Sequence, residues 1–76
     1  MPANRTTYRA SHPDATNSPV EITTKRNLRW ATMALWSDGE WTLIGWSTAE
    51  THKGALGAAR STAPYAKAWD AVPVVR

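Results

Sequence analysis

The sequence of 76 residues contains no cysteine, no phenylalanine and no long apolar run. The lack of cysteine excludes disulfides, thiolate nucleophiles and cysteine-based zinc sites. Uncharged apolar runs stay far below the about 20 residues that a membrane-spanning helix needs, and the N-terminus lacks the apolar segment of a secretion signal. We therefore expect a cytoplasmic protein with no membrane partner.

A chain of this length has enough residues for one small domain. Such a domain buries only about 60% of the surface that its unfolded chain exposes, and no disulfide is available to stabilise it. The five Trp and two Tyr residues must therefore supply much of the core. We predict a single small domain over residues 20–76.

Positive charge is concentrated in the first part of the chain. Residues 1–29 carry five basic and two acidic side chains, whereas residues 30–76 carry four of each, so the whole net charge of +3 lies in the first part. Residues 1–19 are rich in Pro, Asn, Ser and Thr and poor in large apolar side chains, which is typical of a flexible segment. We predict a flexible basic N-terminal arm over 1–19, in which Thr6–Ala10 has the composition of a short strand.

Three segments have the composition and alternation of β-strands. They cover residues 20–24, 28–36 and 41–47. The simplest packing for them is a three-stranded antiparallel sheet with one helix on one face, in the order β-β-β-α. The sequence thus predicts an α+β fold, with a short C-terminal helix after the first helix.

Asp38 and Gly39 separate the second predicted strand from the third. An Asp-Gly pair between two alternating runs is typical of a two-residue type I′ turn, which needs a positive φ at both positions. This loop length sets the register of the hairpin and places three Trp side chains on one face of the sheet. These side chains are Trp30, Trp36 and Trp41.

The first helix has a clear start signal in the sequence. Ser47 is followed three residues later by Glu50, which is the pattern of a capping box. We predict a helix over 48–61 that packs against Met33 and Trp46, on the face of the sheet opposite the three Trp residues.

A second, short helix is predicted over 63–72. Pro64 suits the first helical turn. Tyr65, Trp69 and Val72 recur at the spacing of one helix face. If this helix folds over the three Trp side chains, their face of the sheet is a second small core rather than an open surface.

The sequence offers little for catalysis or for cofactor binding. His12 and His52 lack the spacing of metal ligands, and we expect His12 to be solvated and His52 to lie on the helix surface. Asp38 and Glu40 bracket the predicted turn, where carboxylates more often cap the backbone than form an acid–base pair. We predict no catalytic residue, no cofactor and no metal, and therefore a protein that is not an enzyme.

Two kinds of binding function remain, and the first is nucleic-acid binding. The predicted phosphate contacts are Arg5, Arg9, Lys25, Arg26 and Arg29. Five such contacts would make log K fall with log[salt] at a slope of about −4.5 for duplex DNA. Trp rings on an open sheet face would in addition stack on bases.

The alternative is binding to a protein through the predicted three-Trp face. Trp and Arg are enriched among the residues that dominate interface energies, and three exposed Trp side chains exceed what a monomer usually shows. In this alternative the chain is a small inhibitor or adaptor, or it forms a homodimer. The basic arm would then steer association with an acidic protein partner.

Overall fold

The computed structural model describes residues 5–16 and 19–76, which form two antiparallel sheets and one helix. The elements are β1 (Thr6–Ala10), β2 (Val20–Thr24), β3 (Trp30–Leu35), β4 (Trp41–Ser47), α1 (His52–Thr62) and β5 (Ala68–Pro73). Strand β1 pairs with β2, and the second sheet has the order β4-β3-β5. The predicted α+β class and antiparallel pairing are confirmed, as are the bounds of β1, β2 and β4.

The three-stranded sheet differs in composition from the predicted one. Strand β2 pairs with β1 in the smaller sheet, and β5 takes its place beside β3. The predicted C-terminal helix over 63–72 is therefore wrong. Tyr65, the first residue of its expected apolar stripe, is 94% exposed. Trp69 and Val72 lie in β5, where they pair with β3 and satisfy the backbone groups along its second edge.

Strand β1 lies inside the segment predicted to be a flexible arm. The described part of that segment buries three side chains. They are Tyr8, Ala10 and His12. Two buried rings anchor this stretch to the rest of the fold. Residues 1–4 and 17–18 of the arm lie outside the described residues, and the division of the chain after residue 19 stays a prediction.

The residues that follow β5 join the two sheets. Arg9 and Val75 exchange two backbone hydrogen bonds of 2.8 Å each. The N–H of Val74 donates to the carbonyl of Arg29 at 3.1 Å. The chain after β5 therefore pairs with β1 on one side and with the residue preceding β3 on the other.

The turn between β3 and β4 has three residues rather than two. The N–H of Trp36 donates to the carbonyl of Glu40 at 3.1 Å and closes the loop. Among the described residues, only Gly39 has a positive φ, of 82°. A type I′ turn needs a positive φ at Asp38 as well, so the predicted two-residue loop is wrong. Asp38 instead accepts the N–H of Glu40 at 2.9 Å, as expected of a turn carboxylate.

A β-bulge in the middle of the β3–β4 hairpin restores the predicted register at the end of the hairpin away from the turn. Near the turn, Leu35 pairs with Trp41, one residue away from the predicted partner. Beyond the bulge, Ala31 pairs with Trp46 as predicted. A shift of one residue moves a side chain to the other face of the sheet. Trp41 therefore lies on the opposite face from Trp36.

The two faces of the three-stranded sheet carry separate cores. Helix α1 covers the face of Trp30 and Ala34, here called the helix face. The two-stranded sheet covers the face of Ala31 and Met33, here called the β1–β2 face. The helix-face core contains Ala34, Ala63 and Ala66, surrounded by Trp36, Ile44 and Trp69. The core on the β1–β2 face contains Ala10, Ala31 and Met33, surrounded by Val20, Trp41, Leu43, Trp46, Val72 and Val74. The predicted packing of the helix against Met33 and Trp46 is wrong, because residues of the two-stranded sheet occupy that side.

Helix α1 begins four residues later than predicted. The hydroxyl of Thr51 accepts the N–H of Gly54 at 3.1 Å and caps the helix. The hydroxyl of Ser47 accepts the N–H of Ala49 at 3.1 Å, so the predicted capping box with Glu50 is wrong. Ser and Thr are both favoured N-cap residues, and the second of the two starts is used. No helix in the described ranges is both long and apolar enough to span a membrane.

We expect Gly39→Ala to lower the free energy of unfolding by about 1–2 kcal/mol, the cost of a left-handed backbone for a residue with a Cβ atom. Apart from chain neighbours, no described atom lies within 4 Å of a Cβ placed at Gly39, so the cost comes from the backbone alone. Urea denaturation followed by Trp fluorescence measures it. Gly39→Asn is the control, because Asn adopts this conformation more readily. Equal losses in the two variants would contradict the turn.

Candidate nucleic-acid interface

Most of the predicted phosphate contacts lie at one end of the molecule, here called the basic end. It consists of Arg5, Lys25, Arg26, Arg29 and Arg76, all of them exposed. The β1–β2 register pairs Thr6 with Thr24, which places Arg5 and Lys25 at the same end of the two-stranded sheet. From there the chain passes through Arg26 to the start of β3. Four of the five predicted contacts are thus brought together.

Tyr8 connects two residues of the basic end. Its side chain is 1% exposed, and its hydroxyl donates to the carbonyl of Arg26 at 3.0 Å. The guanidinium carbon of Arg76 lies 5.7 Å from the centroid of the Tyr8 ring, within the range of a cation–π contact. A buried side chain of β1 therefore positions both the turn after β2 and Arg76.

Arg9 is the predicted phosphate contact whose charge is paired, although its backbone bonds to Val75 place it next to Arg76. It is four residues along β1 from Arg5, or about 13 Å at the rise of a strand. Its Nε donates to Oε2 of Glu21 at 2.7 Å, and both side chains are exposed. Because Glu21 offsets its charge, Arg9 adds little to the positive potential of the basic end.

An open groove of about 570 Å³ lies beside the basic end. Its lining includes Leu28, Arg29, Trp30, Glu50, Val74 and Arg76. The backbone of Arg29 is held on two sides, because its N–H donates to the carbonyl of Ser47 at 2.9 Å and its carbonyl accepts the N–H of Val74. The groove combines two guanidinium groups with one carboxylate, an indole ring and two aliphatic side chains.

The three Trp residues predicted to share a binding surface lie on two faces. Trp30 and Trp36 lie on the helix face and donate their indole N–H groups to protein acceptors at 3.0 and 2.7 Å. Trp41 lies on the β1–β2 face, where its ring stacks on that of His12 with centroids 4.5 Å apart. The prediction of one shared face is wrong, because the three-residue turn shifts the adjoining register by one residue and pairs Trp41 with Leu35.

His12 is 4% exposed, contrary to the predicted solvated position. Its Nδ1 accepts the N–H of Asp14 at 3.1 Å, so Nε2 carries the proton and donates to Oδ2 of Asp70 at 2.8 Å. Both ring nitrogens are engaged within the protein, and His12 is not placed to act as a general base. In the described part of the chain, no group of three or more His, Cys, Asp or Glu side chains is arranged for a metal ion.

His52 lies on the exposed side of the first turn of α1, in agreement with the prediction. Its Nε2 lies 3.1 Å from the carbonyl oxygen of Ala71 and 3.7 Å from Oδ1 of Asp70. Its ring meets the Trp30 ring edge-on, with centroids 5.3 Å apart. His52 therefore helps to fix the orientation of an indole that lines the groove.

The sequence does not indicate a functional role for two residues of the groove, Arg76 and Glu50. Arg76 lies beyond β5, a strand that the pattern does not predict, and the same pattern gives Glu50 a role in helix capping. Arg76 lies near Arg29 because β5 pairs with β3 and the N–H of Val74 donates to the carbonyl of Arg29. Glu50 lies near Arg29 because the N–H of Arg29 donates to the carbonyl of Ser47, three residues before Glu50. No local sequence signal indicates the pairing of β5 with β3.

The fold and this end of the molecule define a small α+β domain with a basic surface. No protein-family model, curated protein or solved structure matches the chain. The function is therefore inferred from the contacts and charges of the described residues.

Proposed function

We propose that this protein binds nucleic acid through the basic end and is not an enzyme. The observation that supports this proposal is the placement of four of the five predicted phosphate contacts at one end, where Arg76 joins them. Among the described residues, Glu50 is the one acidic side chain that lines the adjoining groove. A surface with so little opposing charge attracts a polyanion.

Contacts of this kind position a nucleic acid by its phosphates and make affinity depend on salt. Each neutralised phosphate contributes about −0.9 to the slope of log K against log[salt] for duplex DNA and about −0.7 for a single strand. The basic end has five cationic side chains, because Arg76 takes the place of Arg9. The predicted slope for duplex DNA therefore remains about −4.5.

We expect Arg29→Ala to weaken oligonucleotide binding by roughly tenfold at about 50 mM salt and to reduce the salt slope by about 0.7–0.9. The contacts that hold this position use the backbone, so the fold should survive the substitution. Fluorescence anisotropy of a labelled oligonucleotide at about 50 and 200 mM salt measures both quantities.

Arg9→Ala is the matched control for this experiment. It removes the same charge from an exposed position, but the Arg9 guanidinium is held by Glu21 at 2.7 Å and is not available for a phosphate contact. Affinity and slope should therefore stay close to those of the unmodified protein. Equal weakening by Arg9→Ala and Arg29→Ala would contradict a binding surface confined to the basic end.

Protein binding through a three-Trp face is not proposed further. That alternative needs Trp30, Trp36 and Trp41 side by side, and they lie on two faces of the sheet. An acidic protein partner for the basic end stays a prediction from charge, and loss of oligonucleotide binding in the anisotropy experiment would leave it as the next candidate.

A further inference from the structure

The groove beside the basic end contains more than a phosphate site needs. Two guanidinium groups, of Arg29 and Arg76, suffice to attract phosphate, whereas a carboxylate in the same groove repels it. Glu50 takes part in none of the ion pairs found among the described residues. Its place in the groove fits a ligand that brings hydrogen-bond donors as well as negative charge.

We propose that the groove binds one unpaired nucleotide of a single strand, with a preference for guanine. This inference rests on the proposed nucleic-acid binding and adds to it the class of strand and base. Arg29 and Arg76 contact the phosphates, Trp30 provides a surface for the base, and Glu50 accepts hydrogen bonds from its Watson–Crick edge.

The size of the groove suits a single nucleotide. Its volume of about 570 Å³ falls within the roughly 300–1,000 Å³ of typical small-ligand sites. In a duplex the bases are stacked and their Watson–Crick edges are paired, so Glu50 has no donor to accept from. Unpaired bases expose both the ring face and that edge.

Trp30 is held in position before any ligand arrives. Its indole N–H donates to the carbonyl of Ala49 at 3.0 Å, and the His52 ring lies against it edge-on. The ring is half-buried and lines the groove. An aromatic surface that is already oriented loses little conformational entropy when a base stacks on it.

The preference for guanine follows from the chemistry of a carboxylate. Guanine presents two parallel N–H donors, N1–H and N2–H, on its Watson–Crick edge, which match both oxygens of Glu50. Adenine, cytosine and thymine do not present such a pair of donors there. A bidentate pair of this kind discriminates between bases by roughly tenfold or more.

The test uses fluorescence anisotropy with labelled ten-nucleotide strands that alternate dT with dG, dT with dC, or dC with dA. We expect the strand containing dG to bind about fivefold more tightly than the other two, because half of its positions offer the roughly tenfold better base. Annealing the first strand to the third gives the matched duplex, which should bind without the contribution from Glu50.

Glu50→Gln should abolish the preference for the dG strand while leaving binding of the other strands equal or tighter, since a repulsive charge is removed. Glu40→Gln is the matched control. Glu40 is an exposed carboxylate at the far end of the hairpin that accepts the Thr16 hydroxyl at 3.1 Å, which glutamine also accepts. The preference should persist in this variant.

Equal binding of all three strands, or a preference that survives Glu50→Gln, would overturn the guanine site while leaving nucleic-acid binding intact. Absence of binding to every strand and to the duplex at about 50 mM salt would overturn the proposed function itself.

Discussion

His12→Ala is expected to lower the free energy of unfolding by about 3–5 kcal/mol, the range for truncating a large buried ring. The His12 side chain is 3% exposed and stacks on Trp41. Its two nitrogens bond to the N–H of Asp14 and the carboxylate of Asp70. Alanine removes the ring, opens a cavity and deprives both groups of their partner.

A loss of this size is a large fraction of the stability of a small domain. At about 0.05–0.15 kcal/mol per residue, the whole chain has a free energy of unfolding of about 4–11 kcal/mol. Each kcal/mol corresponds to about 4–8 °C in Tm for a domain of this size. Thermal unfolding followed by circular dichroism should therefore show Tm lower by more than about 10 °C.

Two further variants separate the contributions of His12. His12→Phe keeps an aromatic ring against Trp41 but loses both hydrogen bonds. Its free energy of unfolding should therefore lie between that of the unmodified protein and that of His12→Ala. His52→Ala removes a histidine whose side chain is 50% exposed, and it should cost under about 1 kcal/mol, as for most exposed positions. Equal losses for His12→Ala and His52→Ala would contradict the buried position of His12.

The elements with strong local signals were predictable from the sequence. Alternating β-formers gave β2 and β4 with their observed bounds, and Asp38-Gly39 located the hairpin. The turn type was not predictable, because the same Asp-Gly pair fits a two-residue loop and a three-residue loop with Gly in the left-handed conformation. That difference of one residue decided on which face Trp41 lies.

Elements that depend on long-range pairing were predicted poorly. Trp69 and Val72 have the spacing of residues on one side of an α-helix. Ala68–Pro73 nevertheless forms β5, because β3, more than thirty residues earlier in the chain, offers an edge for it to pair with. Composition places His12 and Tyr8 in a flexible arm for the same reason. Their burial depends on Asp70 and on the chain after β5, which local composition does not reveal.

The candidate site was predictable as a set of charges but not as a surface. Composition alone showed that basic residues concentrate before residue 30. Only the fold shows that Arg9 is offset by Glu21 and that Arg76 joins the others. Charge is a property of the sequence, whereas the field at a surface depends on which charges the strand pairings bring together.

Tyr8→Ala is expected to cost about 3–5 kcal/mol of stability and to weaken oligonucleotide binding as well. The ring is buried against the rest of the fold, and it supports the carbonyl of Arg26 and the guanidinium of Arg76. Removing it leaves two cationic residues of the basic end without their common contact. Urea denaturation measures the first effect, and anisotropy at a temperature where the variant is folded measures the second.

Tyr8→Phe and Tyr65→Ala show which part of the tyrosine is responsible. Tyr8→Phe loses only the hydrogen bond to Arg26, worth about 1 kcal/mol, and keeps the ring beneath Arg76, so binding should stay nearly unchanged. Tyr65→Ala is the same truncation at a position that is 94% exposed, where almost no stability should be lost. If Tyr8→Ala were as harmless as Tyr65→Ala, β1 would not be packed against the fold. If it lost stability but bound oligonucleotides with unchanged affinity and slope, neither Arg26 nor Arg76 would owe its place in the binding surface to Tyr8.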